Sequence, residues 1–187
     1  STSQVSFSIT ECEVYGLGSI GGLIGEAEGN TVNSSATGKI RGANEVGGLI
    51  GINSGSVSRC EASGNVSGYE DNVGGLIGEN QGSATNCSAG GLISGYGDFI
   101  GGLIGWNRGI IQFSTASGDV YGGGQGTGGL VGSSHGFVEY CHAYGDVNGN
   151  VTVGGLMGEK RGLVSNCSAY GSVYGAERVG GLLGTNG

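Results

Sequence analysis

Seven times the chain returns to one five-residue phrase. Gly21–Gly25, Gly47–Gly51, Gly74–Gly78 and Gly101–Gly105 read GGLIG; Gly128–Gly132, Gly154–Gly158 and Gly180–Gly184 read GGLVG, GGLMG and GGLLG. Successive copies start 26 or 27 residues apart. A fixed period of this length marks a stack of supersecondary units, none of which can bury its apolar side without its neighbours. The repeat constrains the architecture severely, and it names no chemistry.

Composition matters mainly for what it excludes. There are 47 glycines and no proline, whereas collagen needs Gly at every third position and abundant proline. Aliphatic residues recur at fixed places in every unit, which separates the chain from glycine-rich disorder. The net charge is −8, and the seven basic residues are scattered. Binding to a phosphate backbone or an anionic membrane needs clustered Lys or Arg, so neither nucleic acid nor a membrane surface is an expected partner. No apolar run approaches the roughly 20 residues that span a bilayer.

Within a unit, the central segment alternates. In the third unit Cys60, Ala62, Gly64, Val66 and Gly68 share one face, and Glu61, Ser63, Asn65 and Ser67 the other. Period two over this length reads as a half-buried strand, and no 3.6-residue apolar pattern supports a helix. The inward positions line up from unit to unit. Val14, Ile40, Val66, Ile93, Val120, Val147 and Val173 form an aliphatic column, and Thr10, Ala36, Ala62, Ala89, Ala116, Ala143 and Ala169 a small one. Leu23, Leu49, Leu76, Leu103, Leu130, Leu156 and Leu182 form a third.

The expected fold is therefore all-β: a parallel β-solenoid (β-helix) of seven coils, each with about three short strands joined by glycine corners, where positive φ costs Gly little. It is expected to be right-handed, because each turn is longer than the left-handed kind with six residues per side. Coil boundaries fall at 1–25, 26–51, 52–78, 79–105, 106–132, 133–158 and 159–184, with 185–187 beginning an eighth. The small inward residues imply a thin core.

The Gly-Gly-Leu-[Ile/Val/Met/Leu]-Gly phrase resembles the GLUG motif family, repeats found in bacterial surface proteins such as IgA-specific metallopeptidases and filamentous-haemagglutinin-like adhesins. The resemblance covers all seven units. It implies a stalk or surface module; no HExxH-type zinc motif occurs in this sequence, so peptidase activity does not carry over.

Solenoids normally end in atypical capping units, and none is evident. A segment of a longer array and a head-to-tail fibre of copies are both open readings. The first unit deviates most, with Cys12 where later units have Gly, and with Phe7 and Ile9 added.

Candidate chemistry is sparse. Cys60, Cys87, Cys141 and Cys167 share a column with Ser8, Ser34 and Ser114. The column wants a small residue, and neighbouring coils place Cys60–Cys87 and Cys141–Cys167 within reach of disulfides. Cys12 is left over and could bridge copies. Asp71 stacks over Asp98 and Asp119 over Asp146, which makes these four weak calcium candidates; paired carboxylates also suit glycosidases. No other metal or cofactor is implied. His142 follows Cys141 but alternation aims the two apart, so they form no nucleophile–base pair.

Tyr121, His142, Tyr144, Tyr170 and Tyr174 are expected to project from one outer sheet, a candidate contact face for sugar rings or a protein partner. Asn33, Asn65, Asn86, Asn150 and Asn166 stand in N-x-S/T sequons and are candidate glycosylation sites. The expected function is non-enzymatic: an extracellular or cell-surface rod, acting as an adhesin stalk or stacking end to end into a fibre. The alternative is a carbohydrate-binding solenoid using the Tyr-rich face. Expected partners are further coils, surface glycans or a cell-surface protein.

Overall fold

A computed structural model describes residues 3–187, so the first two positions of the expected first coil lie outside the described residues. It contains 35 short strands and no helix. Each coil contributes one strand to each of five parallel, seven-stranded sheets, lettered A to E in chain order. In the third coil these strands are Ser56–Ser58, Glu61–Ala62, Val66–Gly68, Val73–Gly74 and Ile77–Asn80. The solenoid is as expected, but a coil has five strands rather than three. Apolar patterning alone could not separate strands two or three residues long.

The columns run unbroken. Val66 pairs with Ile40 on one side and Ile93 on the other, and Ala62 with Ala36 and Ala89. Along the leucine column each N–H donates to the carbonyl of the next leucine, for example Leu49 to Leu76 at 2.9 Å and Leu76 to Leu103 at 2.8 Å. The extra residue of the 27-residue coils falls in the turn between sheets C and D, because both Val66↔Ile40 and Val73↔Val46 stay in register. With sheet A as the start of a coil, Thr185 and Asn186 finish the seventh coil, inside the strand Leu183–Asn186, rather than opening an eighth.

Two apolar clusters fill the cross-section. The larger holds the leucine and alanine columns with Ile50, Ile77 and Ile104; the smaller holds Ile40, Val66, Ile93 and Val120 with Val46, Val73 and Ile100. Between them lies a waist made by the second glycine of each repeat phrase. A Cβ built on Gly75 would stand 2.1 Å from the Gly102 carbonyl oxygen and 3.0 Å from the Ala89 Cβ, and Gly48 and Gly102 meet the equivalent atoms. Hydrogen is the only side chain that fits, which explains why the phrase opens on glycine.

The corners overturn an expectation. Positive φ occurs at Phe7, Asn33, Arg59, Asn86, Phe113, Tyr140 and Asn166, one per coil between sheets A and B, with φ between 50° and 54°. A second set falls where sheet D begins: Glu45, Asn72 and Phe99 just before the strand, and Thr152 and Arg178 at its second residue, with Gly126 as the one glycine at that place. Left-handed non-glycine residues cost roughly 1–2 kcal/mol each. They persist because the ladders on both sides leave the corner no other course. Glycine is used instead where backbones touch.

We expect Gly75→Ala to destabilise the chain by about 1–3 kcal/mol or more, since the surroundings are backbone and cannot yield. Gly18→Ala, where a new Cβ meets nothing within 4 Å, should change stability by no more than about 0.5 kcal/mol. Urea denaturation of the two variants checks the contrast.

Candidate functional site

The cysteine column is a row of hydrogen-bond donors at the A–B corner. Each member donates to the carbonyl two residues earlier: Ser34 Oγ to Val32 at 3.0 Å, Cys60 Sγ to Ser58 at 3.3 Å, Ser114 Oγ to Gln112 at 2.8 Å and Cys141 Sγ to Glu139 at 3.2 Å. That carbonyl lies just before the left-handed residue. Ser and Cys interchange because the corner needs a small donor, not merely a small residue. All five cysteines are free thiols, so the Cys60–Cys87 and Cys141–Cys167 bridges do not form in this structure. The neighbouring thiol of the column, Cys60 and Cys167 respectively, and then burial push the Cys87 and Cys141 thiols well above their usual range.

The stacked aspartates also work on the backbone. Asp71 accepts the Asp98 N–H at 2.8 Å and Asp98 the Gln125 N–H at 2.7 Å. Asp119 accepts the Asp146 N–H at 2.9 Å and Asp146 the Ser172 N–H at 2.7 Å. Each carboxylate therefore caps the coil above it. Among the described residues, no group of three or more His, Cys, Asp or Glu side chains is arranged to hold a metal ion.

A buried amide ladder escaped the sequence reading. Asn53 Nδ2 donates to Asn80 Oδ1 at 2.8 Å, Asn80 to Asn107 at 2.8 Å, and Asn107 to Ser134 Oγ at 3.0 Å, all four residues fully buried. Its signal in the sequence is the Asn that recurs two residues after the glycine phrase, at Asn53, Asn80 and Asn107. We expect Asn80→Ala to cost about 2–4 kcal/mol in thermal or urea unfolding, because it strands the Asn53 donor and the Asn107 acceptor inside the stack.

The five aromatic candidates do not share one sheet. Tyr121 and Tyr174 lie on sheet C, separated by Asn148. His142 lies on sheet B, and Tyr144 and Tyr170 just beyond it. The Tyr144 and Tyr170 rings stack on each other at 5.1 Å, 6° from parallel, and so cover one face of each ring that a sugar would need. His142 Nδ1 lies 2.7 Å from Ser168 Oγ, the spacing of a base and a nucleophile. The Ser168 and Tyr170 N–H groups, however, are bonded to Cys141 and Ala143 carbonyls and are not free to stabilise an oxyanion.

Of the sequon asparagines, Asn86 and Asn166 stand exposed on left-handed corners. Asn33 accepts from Arg59 Nε at 2.9 Å, Asn65 from the Leu92 N–H at 3.1 Å, and Asn150 donates to the Gly123 carbonyl at 3.2 Å.

Two further surface features emerge only in three dimensions. In the turn between sheets C and D, Glu45 is held above the usual carboxylate range, first by burial and then by Glu79, Asp71, Glu26 and Glu70. On the outside of sheet A, Ile110, Phe137 and Leu163 line one side of a groove. A raised folded-state pKa means that the ionised carboxylate opposes folding above that pKa; the penalty fades as pH falls toward the unfolded value of about 4.3. Glu45→Gln should thus raise the melting temperature at pH 7 and give no gain below about pH 4.

The GLUG motif family profile matches residues 16–41 and 42–67. Residues 16–67 are thus similar to two successive GLUG repeats. Each match makes one full circuit, from just past sheet C of one coil to sheet C of the next, and the five sheets carry the same register through the later coils. Comparison with curated proteins and with solved structures gives no match. GLUG repeats occur in surface proteins, and no helix among the described residues is long and apolar enough to cross a membrane.

Proposed function

We propose that this chain is a non-enzymatic structural and adhesive module of an extracellular or cell-surface protein, a stiff rod that holds other parts at a distance or continues into a fibre. The observation that carries this reading is the unbroken register of all five sheets through seven coils. Every coil is bonded to its neighbours on five sides, so bending the rod must break ladders in several sheets at once. The aspartates are committed to backbone N–H groups and the hydroxyl and thiol column to backbone carbonyls, which suits support better than turnover.

Negative-stain microscopy of the purified chain tests the proposal. Rods about 3 nm long, or filaments of the same width, are expected; round or flexible particles would reject it.

A further inference from the structure

The outer face of sheet A changes character along the rod. In coils one to four its first outward column reads Gln4, Asn30, Ser56 and Ser83, and in coils five to seven it reads Ile110, Phe137 and Leu163. These three are 43%, 56% and 64% exposed, although nothing in the coil's own packing requires an apolar residue there. Two residues on, the same strands present Gln112, Glu139 and Ser165. Glu139 accepts from Gln112 Nε2 at 3.4 Å and from Ser165 Oγ at 3.1 Å, so the three form one connected polar row. The rows face each other across a groove of about 520 Å³ that crosses the strands and runs along the rod.

We propose that this groove binds a short, linear, neutral oligosaccharide lying parallel to the rod axis. The walls specify an amphipathic ligand. One is purely apolar and suits the C–H face of a pyranose ring; the other offers a carboxylate, an amide and a hydroxyl, suited to ring hydroxyls. The only charged group lining the groove is Glu139, on a chain of net charge −8, which disfavours uronates and sialic acids. Size points the same way. The volume falls within the roughly 300–1,000 Å³ of small-ligand sites. A strip three coils long, spanning about 10 Å between its outer strands, is far short of the roughly 800 Å² per side that a stable protein partner needs. The length suits two or three sugar rings, about one to a coil. The site is distinct from the Tyr144–Tyr170 pair, whose rings stack on each other, and the rod function does not depend on it.

Titration calorimetry of the full chain against glucose, mannose and N-acetylglucosamine oligomers of two to six units tests the proposal. Sialylated glycans and a cationic amphipathic peptide serve as comparisons. Binding of a neutral oligomer is expected, strengthening up to about three units and no further. It should weaken roughly tenfold or more in Phe137→Ser and in Glu139→Ala while remaining unchanged in Tyr170→Ser. The mutated side chains point outward, so unchanged melting temperatures will show that the fold is intact; Leu163→Ser is the substitute should Phe137→Ser unfold. Absence of neutral-sugar binding, binding indifferent to the groove variants, or preference for the acidic glycan or the peptide would each overturn it.

Discussion

The fold depends on how closely its backbones approach. Along the waist of the first six coils the second glycine of the repeat phrase lies against the glycine carbonyl of the next coil and the Cβ of its alanine column. This contact draws sheets B and D together and divides the apolar interior into two lobes. A methyl group anywhere in that row would force neighbouring coils out of register, and the five ladders share one register. The glycine content is thus a consequence of close packing, not of flexible turns.

With the waist fixed, the remaining polar groups have few options. A solenoid buries a strand from each coil on both sides, and any N–H or carbonyl that misses the ladder must find a side chain. The hydroxyl and thiol column serves the carbonyls at the A–B corner, the aspartates and asparagines serve N–H groups at the turns, and the amides of Asn53, Asn80 and Asn107 serve one another. Residues that look like metal ligands or nucleophiles in sequence are, in the structure, the fittings that keep the stack saturated. Substitutions within a column follow function rather than size: Ser for Cys, and Asn for Asp.

Freedom to vary is left only on the outer faces, where each coil can carry any side chain the ladder tolerates. The chain uses it unevenly. The C–D turn of the early coils gathers Glu45, Glu70 and Asp71, whereas coils five to seven place Phe113 against Tyr140, Tyr144 against Tyr170, and an apolar row on sheet A. A uniform scaffold therefore carries a directional surface.

The sequence by itself determined the period, the strand class, the three inward columns and the absence of helix, because side chains stacked on their own kind leave a repeat that can be read directly. Alternation also told correctly which side of sheet B faces inward. Only the tertiary structure decided the five-strand coil, the left-handed corners at residues such as Arg59 and Phe113, and the role of glycine at the waist. It also decided which columns are capped. Those features depend on the distance between one coil and the next, to which a pattern along a single strand is blind. The sheet A groove stayed hidden for the same reason: Ile110, Phe137 and Leu163 lie 26 or 27 residues apart and become one surface only when the coils are stacked.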